Sequence, residues 1–193
     1  TVTVHEPGPA LGGLQGLRAR GPGQAEIAET IDALVQRAME AGVKLIRDEP
    51  LPGEHDVLWA VGRPAPGRGG GTTAARTVTS YDVLAAPGDF AGAGRALVVG
   101  DDLASTEAAL LLAAAGVRVE LRSAARDIAI DAHPGFRDVA RRGLGQRGAA
   151  IVTGVSAESA GASAAEPALA VAGAGARFDD DLGDAYEPGR LTE

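Results

Sequence analysis

Residues 95–121 constrain the fold more than any other stretch of the chain. Ala96-Leu97-Val98-Val99 is an unbroken apolar run and Gly100 interrupts it; residues 106–115 are an Ala/Leu-rich helical segment closed by Gly116, and Val117-Arg118-Val119-Glu120-Leu121 reads as a second strand. Strand, glycine turn, helix and strand within about 30 residues is the size of a parallel crossover unit. A strand that is apolar at every position is the type buried on both faces of a parallel sheet. The composition fits such a core: hydrophobic residues make up 45 % of the 193 positions and aromatics only 3 %, so Ala, Val, Leu and Ile must fill it. That hydrophobic share excludes disorder of the whole chain, and the length suits one domain or two small ones.

A unit of similar layout comes first. Residues 1–5 alternate Thr and Val and end in His5, a short strand pattern. Residues 7–13 read as a Pro/Gly loop. Residues 24–41 form a predicted helix, because Ile27, Ile31, Leu34, Val35 and Ala38 recur at helical spacing and Gly42 closes the run. Strands are predicted at 43–46 and 55–61, with a Gly-rich loop at 67–73. After the central unit, a helix is predicted over 136–144 and a strand over 149–152. Residues 158–176 are rich in Ala, Ser and Gly and show no readable pattern. The chain opens at Thr1 inside a strand pattern and stops at Glu193 just after a turn, so both ends are expected to be cut from something longer.

Several function classes are disfavoured. The formal net charge is −8 and the basic residues, nearly all Arg, form no polybasic run; nucleic-acid binding needs a clustered basic surface. No apolar run approaches the roughly 18 residues of a membrane span, and no signal-peptide pattern opens the chain, so a cytoplasmic location without a membrane partner is expected. Cysteine is absent, which removes disulfides, thiolate ligands and Cys nucleophiles from these residues. His5, His55 and His133 lack metal-ligand spacing, and no serine has a Gly-x-Ser-x-Gly setting. No catalytic residue and no metal ligand is therefore expected here.

Three places can carry binding chemistry. Gly100-Asp101-Asp102-Leu103-Ala104-Ser105 stands where a Gly-x-Gly-x-x-Gly dinucleotide turn would join strand to helix. In an intact turn the first glycine makes the bend, the second admits a pyrophosphate and the third packs helix on strand. Gly100 keeps the first role and Ser105 can fill the third, but Asp102 puts a carboxylate in the second position. Two negative groups about 4 Å apart repel by about 4 kcal/mol at an effective dielectric near 20, so NAD(P) binding is disfavoured. Arg122 and Arg126 after the next strand either read a 2′-phosphate or are solvated surface charges. The second place is Glu6, at the end of the first strand, followed by Gly12 and Gly13. A carboxylate there can accept both ribose hydroxyls of an adenine nucleotide, and glycines let the backbone pass close to it; the plain alternative is an exposed Glu and a loop. The third is Gly183-Asp184, which is either a carboxylate at a strand end or a surface turn.

The motifs in this order resemble a known family. Thr-Val-His-Glu, Leu-Gly-Gly, the long helix, Gly-Val-Lys-Leu and Asp56-Val57-Leu58-Trp59-Ala60-Val61-Gly62 look like the FAD-binding portion of two-dinucleotide-fold flavoproteins. Ala60-Val61-Gly62 matches that family's Ala-Thr-Gly crossover, residues 98–121 look like its inserted NAD(P)-type domain, and Gly183-Asp184 looks like its late Gly-Asp motif at the flavin ribityl chain. Gly-Asp-Ala-Tyr-Glu-Pro-x-Arg-Leu-Thr-Glu is most similar to the C-terminal region of the trimethylamine dehydrogenase and 2,4-dienoyl-CoA reductase group of old-yellow-enzyme-like flavoproteins. Departures are Leu14 where many relatives carry Gln and Gly189 where many carry Arg. The family's first strand and its glycine turn would lie before Thr1.

The resemblance implies an α/β fold of two Rossmann-like parallel-sheet domains, the second inserted into the first: residues 1–75 and 156–193 form an FAD- or ADP-binding domain, and 76–155 the inserted NAD(P)-like domain. It implies a nucleotide-binding region of a flavin-dependent oxidoreductase, with Glu6, Gly12, Gly13, Ala60, Gly62, Gly100, Gly183 and Asp184 as cofactor-binding residues. FMN and a four-iron cluster would belong to a barrel domain or partner subunit outside this chain, an electron-transfer flavoprotein would be a partner, and an oligomer is expected. Two alternatives stay open: a docking or assembly module built on a degenerate Rossmann pair, and an NADPH-dependent enoate or dienoyl reductase.

Overall fold

The structure, a computed structural model, describes residues 2–6, 11–21, 23–47, 74, 76–155 and 168–173. It is an α/β fold with two parallel sheets, as the crossover pattern predicts. The strand expected at 55–61, the loop at 67–73, and Ala60, Gly62, Gly183 and Asp184 lie outside the described residues.

In the first unit β1 (Thr3–His5) runs parallel to β2 (Lys44–Ile46), with Thr3 opposite Lys44 and His5 opposite Ile46. Between them come α1 (Gly13–Arg18) and α2 (Ala25–Glu40). The apolar stripe anticipated on α2 is there, but none of its residues is fully buried. Gly42, at φ 79°, ends α2 in the left-handed conformation that a side chain would disfavour. Helix α1 is a feature the sequence pattern did not announce, because Gly12, Gly13 and Gly16 read as loop residues.

The second unit comprises β3 (Arg76–Thr79), α3 (Ser80–Ala85), a 3₁₀ turn (Pro87–Phe90), β4 (Arg95–Val99), α4 (Leu103–Ala114), β5 (Arg118–Ser123), α5 (Pro134–Gln146), β6 (Ala150–Thr153) and β7 (Leu169–Ala172). The strand order is β3-β7-β4-β5-β6, all parallel. Strand β7 comes from the stretch without a readable pattern, and it sits in the middle of this sheet, between β3 and β4. Helix α3 starts in a capping box: the Thr79 hydroxyl accepts from the Asp82 N–H, and the Asp82 carboxylate accepts from the Thr79 N–H at 2.9 Å. Helix α5 starts on His133, whose Nδ1 accepts from the Gly135 N–H at 3.1 Å, so this histidine serves as a cap.

The core lies between the sheet and helices α4 and α5. Ala96, Val98, Leu112, Leu121, Leu144 and Val171 are each at most 1 % exposed and pack in one cluster. Leu97 and Val99 point to the opposite face of β4 and are also buried. Among the described residues no helix is long and apolar enough to cross a membrane.

Candidate functional site

In an open parallel sheet the ligand crevice opens where neighbouring strands send their connections to opposite sides, beyond the strands' carboxyl ends. In this sheet the carboxyl ends of β4 and β7 lie side by side. Gly100 follows β4 and Gly173 follows β7, and the Gly173 N–H donates to the Val99 carbonyl at 2.8 Å. The two glycines are so close that a Cβ on Gly173 would stand 3.2 Å from the Gly100 Cα. It would also overlap the Ser105 hydroxyl and come within 2.6 Å of Asp102 Oδ2. The turn is thus filled by side chains of its own helix.

Asp102 is the N-cap of α4. Its Oδ1 accepts from the Ser105 N–H at 2.7 Å, and both carboxylate oxygens accept from the Ser105 hydroxyl at 3.0 Å. The Leu103 N–H donates to Asp131 Oδ1 at 2.7 Å, and the Ile130 N–H donates to the Asp101 carbonyl at 2.8 Å. The segment after β5 therefore folds across the turn. Ala129, buried and at φ 48°, makes the bend that lets it do so. Arg137 Nη2 holds this segment by donating to the carbonyls of Ile130 and Ala132 at 2.7 and 2.9 Å. The helix N-terminal amides that would meet a phosphate already meet two carboxylates.

Arg122, the candidate reader of a 2′-phosphate, donates through Nε to Glu120 Oε1 at 2.7 Å. Arg95 Nη2 donates to the other oxygen of the same carboxylate at 2.6 Å. Burial alone would raise the Glu120 carboxyl, but the two guanidiniums outweigh it and hold the group below its ordinary range. Arg126 is exposed.

Glu6 stands directly after β1, at the strand's carboxyl end, and its N–H donates to the Ile46 carbonyl at 3.0 Å. Gly12 caps α1 at φ 112°, and a Cβ there would press within 3.1 Å of the Ile31 side chain on α2. Gly13, at φ 48°, has no atom within 4 Å of where its Cβ would stand. At the start of α1 the open position is therefore Gly13, while Gly12 is covered by Ile31. Glu6 and the glycines flank residues 7–10, which are outside the described set.

Two further groups escaped the sequence reading. Glu107 is 3 % exposed in α4, and Arg18 Nε at the end of α1 donates to both its oxygens at 3.0 Å. Burial pushes the Glu107 carboxyl up, Arg18 pulls it back, and Asp131 and Asp102 add to the rise. A lone carboxylate in the sequence Leu-Ala-Ser-Thr-Glu-Ala-Ala-Leu-Leu-Leu-Ala-Ala was the available signal, since a charge buried in such a helix demands a partner. Asp131 had none: it lies 28 positions from the amide it caps.

The fold is shared with solved enzymes. A 2-naphthoyl-CoA reductase matches 89 % of this chain and 29 % of its own, at 18 % identity and a TM-score of 0.67. A 6-hydroxypseudooxynicotine amine oxidase from Pseudomonas geniculata N1 matches 88 % and 30 %, at 19 % identity and 0.68. A histamine dehydrogenase from Rhizobium sp. 4-9 matches 79 % and 26 %, at 20 % identity and 0.56. This chain thus spans less than a third of the length of each. No known family profile matches the chain, and no curated protein matches it by sequence.

Proposed function

We propose that this chain is a nucleotide-binding region of a flavin-dependent oxidoreductase, taking FAD or ADP in its first unit and no NAD(P) in its second. The observation that carries the proposal is the contrast between the two turns. Glu6 follows directly after β1 and Gly13 has open space where its Cβ would stand, whereas the β4–α4 turn is filled by Asp102 and Ser105 and crossed by Asp131. The likeness in fold to a reductase, an oxidase and a dehydrogenase supports a redox setting.

The residues at the first turn fit an adenine nucleotide. The Glu6 carboxylate would accept hydrogen bonds from the two ribose hydroxyls. Gly12 and Gly13 would let the nucleotide lie against backbone. From the resemblance, Ala60 and Gly62 would line the crossover and Asp184, after Gly183, would bind ribityl hydroxyls. Electron transfer would be the flavin's chemistry, and this chain's residues would bind and orient it. FMN, a four-iron cluster and a flavoprotein acceptor would belong to a barrel domain or partner outside these residues. In this reading residues 76–155 are the inserted domain, and β7 (Leu169–Ala172), which pairs with β3 and β4, belongs to its sheet as well.

The test is the visible absorption spectrum of the native protein, followed by titration of its nucleotide-free form with FAD and with ADP. Flavin bands and saturable binding are expected. Glu6→Ala should weaken binding by about 1.5–3 kcal/mol, the range for hydrogen bonds to a charged group; an unchanged Kd removes Glu6 from the site. The filled second turn favours one other reading, a docking or assembly module. A native protein without flavin bands that binds neither FAD nor ADP would establish that alternative instead.

A further inference from the structure

Helix α1, in the first unit, packs into the second. Leu14 and Leu17 on it lie against Tyr81, Leu84 and Leu111, with Ala104 alongside. The Arg20 guanidinium reaches the Ala85 carbonyl at the end of α3. Arg18 is held on two sides, by Gln15 Oε1 at 2.9 Å and by the Glu107 carboxylate at 3.0 Å. At its other end α1 begins at Gly12-Gly13, and Gly12 is pressed against Ile31 of α2. One six-residue helix thus has the Gly12-Gly13 turn at its start and a half-buried ion pair at its end.

A buried carboxylate in an apolar helix costs stability unless paired, and its pairing demands one placement of the guanidinium. The apolar contacts of Leu14 and Leu17 tolerate sliding; a guanidinium nitrogen shared between two carboxylate oxygens does not. We propose that Arg18 and Glu107 are a positioning pair: they fix the register of α1 on α4, and so set where Gly12-Gly13 stands relative to Glu6. The second unit then serves the first as a template for its nucleotide turn. This inference rests on the reading of that turn as the adenine-nucleotide site.

The experiment uses the complete protein, freed of nucleotide, titrated with FAD and separately with ADP. Variants Glu107→Gln and Arg18→Met are compared with wild type, and Arg18→Lys is included as the conservative change, should a charge left without its partner prevent folding. The Kd is expected to rise at least about fivefold in the first two, the lower end of usual coupling between sites. It should rise less in Arg18→Lys, and the double variant should be no worse than the worse single one. Amide exchange should quicken in α1 and stay unchanged in α2. A structural role alone would lower Tm in the variants and leave the Kd of the folded fraction as it was, and that result overturns the inference. A wild type that binds neither FAD nor ADP overturns both the inference and the proposed site, whereas unchanged affinity in folded variants overturns the inference only.

Discussion

Helices α2 and α4 make the crossovers of the two parallel units, and they are buried to opposite degrees. Eight of the 12 residues of α4 are buried, while none of the 16 of α2 is. Helix α4 is apolar nearly all round because it is covered twice, by the five-stranded sheet on one side and by Tyr81, Leu84 and α1 on the other. Helix α2 carries a stripe with polar residues opposite, and Leu34 on that stripe is 54 % exposed. The difference teaches where the fold's stability resides. Every fully buried side chain among the described residues lies between Ser80 and Ala172. The described residues of the first unit contribute local helix stability, aided by contacts such as Gln36 to Glu40 at 2.9 Å, and none of them is fully buried.

The largest expected effect sharpens that contrast. Leu112→Ala on α4 removes a side chain that is 0 % exposed. It should cost about 2–5 kcal/mol, the usual range for a core Leu→Ala change. Leu34→Ala on α2 should stay within about 0.5 kcal/mol, as for surface changes. Urea denaturation of both variants measures the difference. Equal losses would mean that α2 is a core helix in solution and would break the comparison.

A second effect is smaller and concerns the filled turn. Gly173→Ala adds a Cβ that overlaps the Ser105 hydroxyl and stands 3.2 Å from the Gly100 Cα. Overpacking of this kind costs about 1–3 kcal/mol. The loss should show in Tm, and Gly173→Ala/Ser105→Ala should recover part of it. A Gly173→Ala protein as stable as wild type would mean that the turn has room to spare, contrary to its geometry.

These effects also mark how far the sequence could be read. Strand β4, helix α4, strand β5 and helix α2 were legible because their apolar periodicity is strong over several residues. Strand β7 was not: Leu169-Ala170-Val171-Ala172 is only four residues, sits in an Ala-rich stretch, and becomes a strand because β3 and β4 hold it on both sides. Helix α3 is short, and its signal lay in Thr79 and Asp82, a capping pair rather than a periodicity. At the site, Asp102 was recognised as a departure from the dinucleotide turn, and its physical role was visible only in three dimensions. Asp131 and Gly173 belong to the turn through tertiary contacts, which local sequence does not encode. Glu6, Gly12 and Gly13 were legible as types of residue, and the positive φ at both glycines fits the choice of glycine there.

A third prediction reads the second unit through pH. The Asp127 carboxyl lies below its ordinary range because Arg141 hydrogen-bonds to it at 2.7 Å and the Ile128 N–H adds another bond. A carboxyl whose folded pKa is depressed adds stability above its unfolded value, and that stability is lost as pH falls through the folded one. Asp127→Asn should therefore lower Tm slightly at neutral pH, and the gap should begin to narrow as pH falls below about 4, the ordinary range for Asp. Asp127 is 36 % exposed, so screening keeps the effect small, and added salt should shrink it further. A gap that does not narrow at all between about pH 5 and pH 3 would assign the loss to packing instead of charge.

The smallest effect expected is none at all, and it tests the contrast between the two turns most directly. If Asp102 alone kept NADPH from the β4–α4 turn, Asp102→Gly would open it, and glycine is a tolerable N-cap that costs only a few tenths of a kcal/mol. The structure places a second carboxylate at the same helix end: Asp131 Oδ1 accepts from the Leu103 N–H at 2.7 Å. Asp131 is held there by the bend at Ala129 and by Arg137 on the neighbouring carbonyls, none of which depends on Asp102. The repulsion of about 4 kcal/mol between charges about 4 Å apart survives removal of one of the two, and it corresponds to about a thousandfold in affinity. Isothermal titration of Asp102→Gly with NADPH should therefore show no saturable binding below about millimolar, as in wild type, on the same arithmetic. Asp102→Gly/Asp131→Ala frees both amides and is the variant in which binding should first become measurable. A micromolar Kd for NADPH in wild type or in Asp102→Gly would mean that the segment across the turn lifts away in solution, and the second unit would then be a working dinucleotide site.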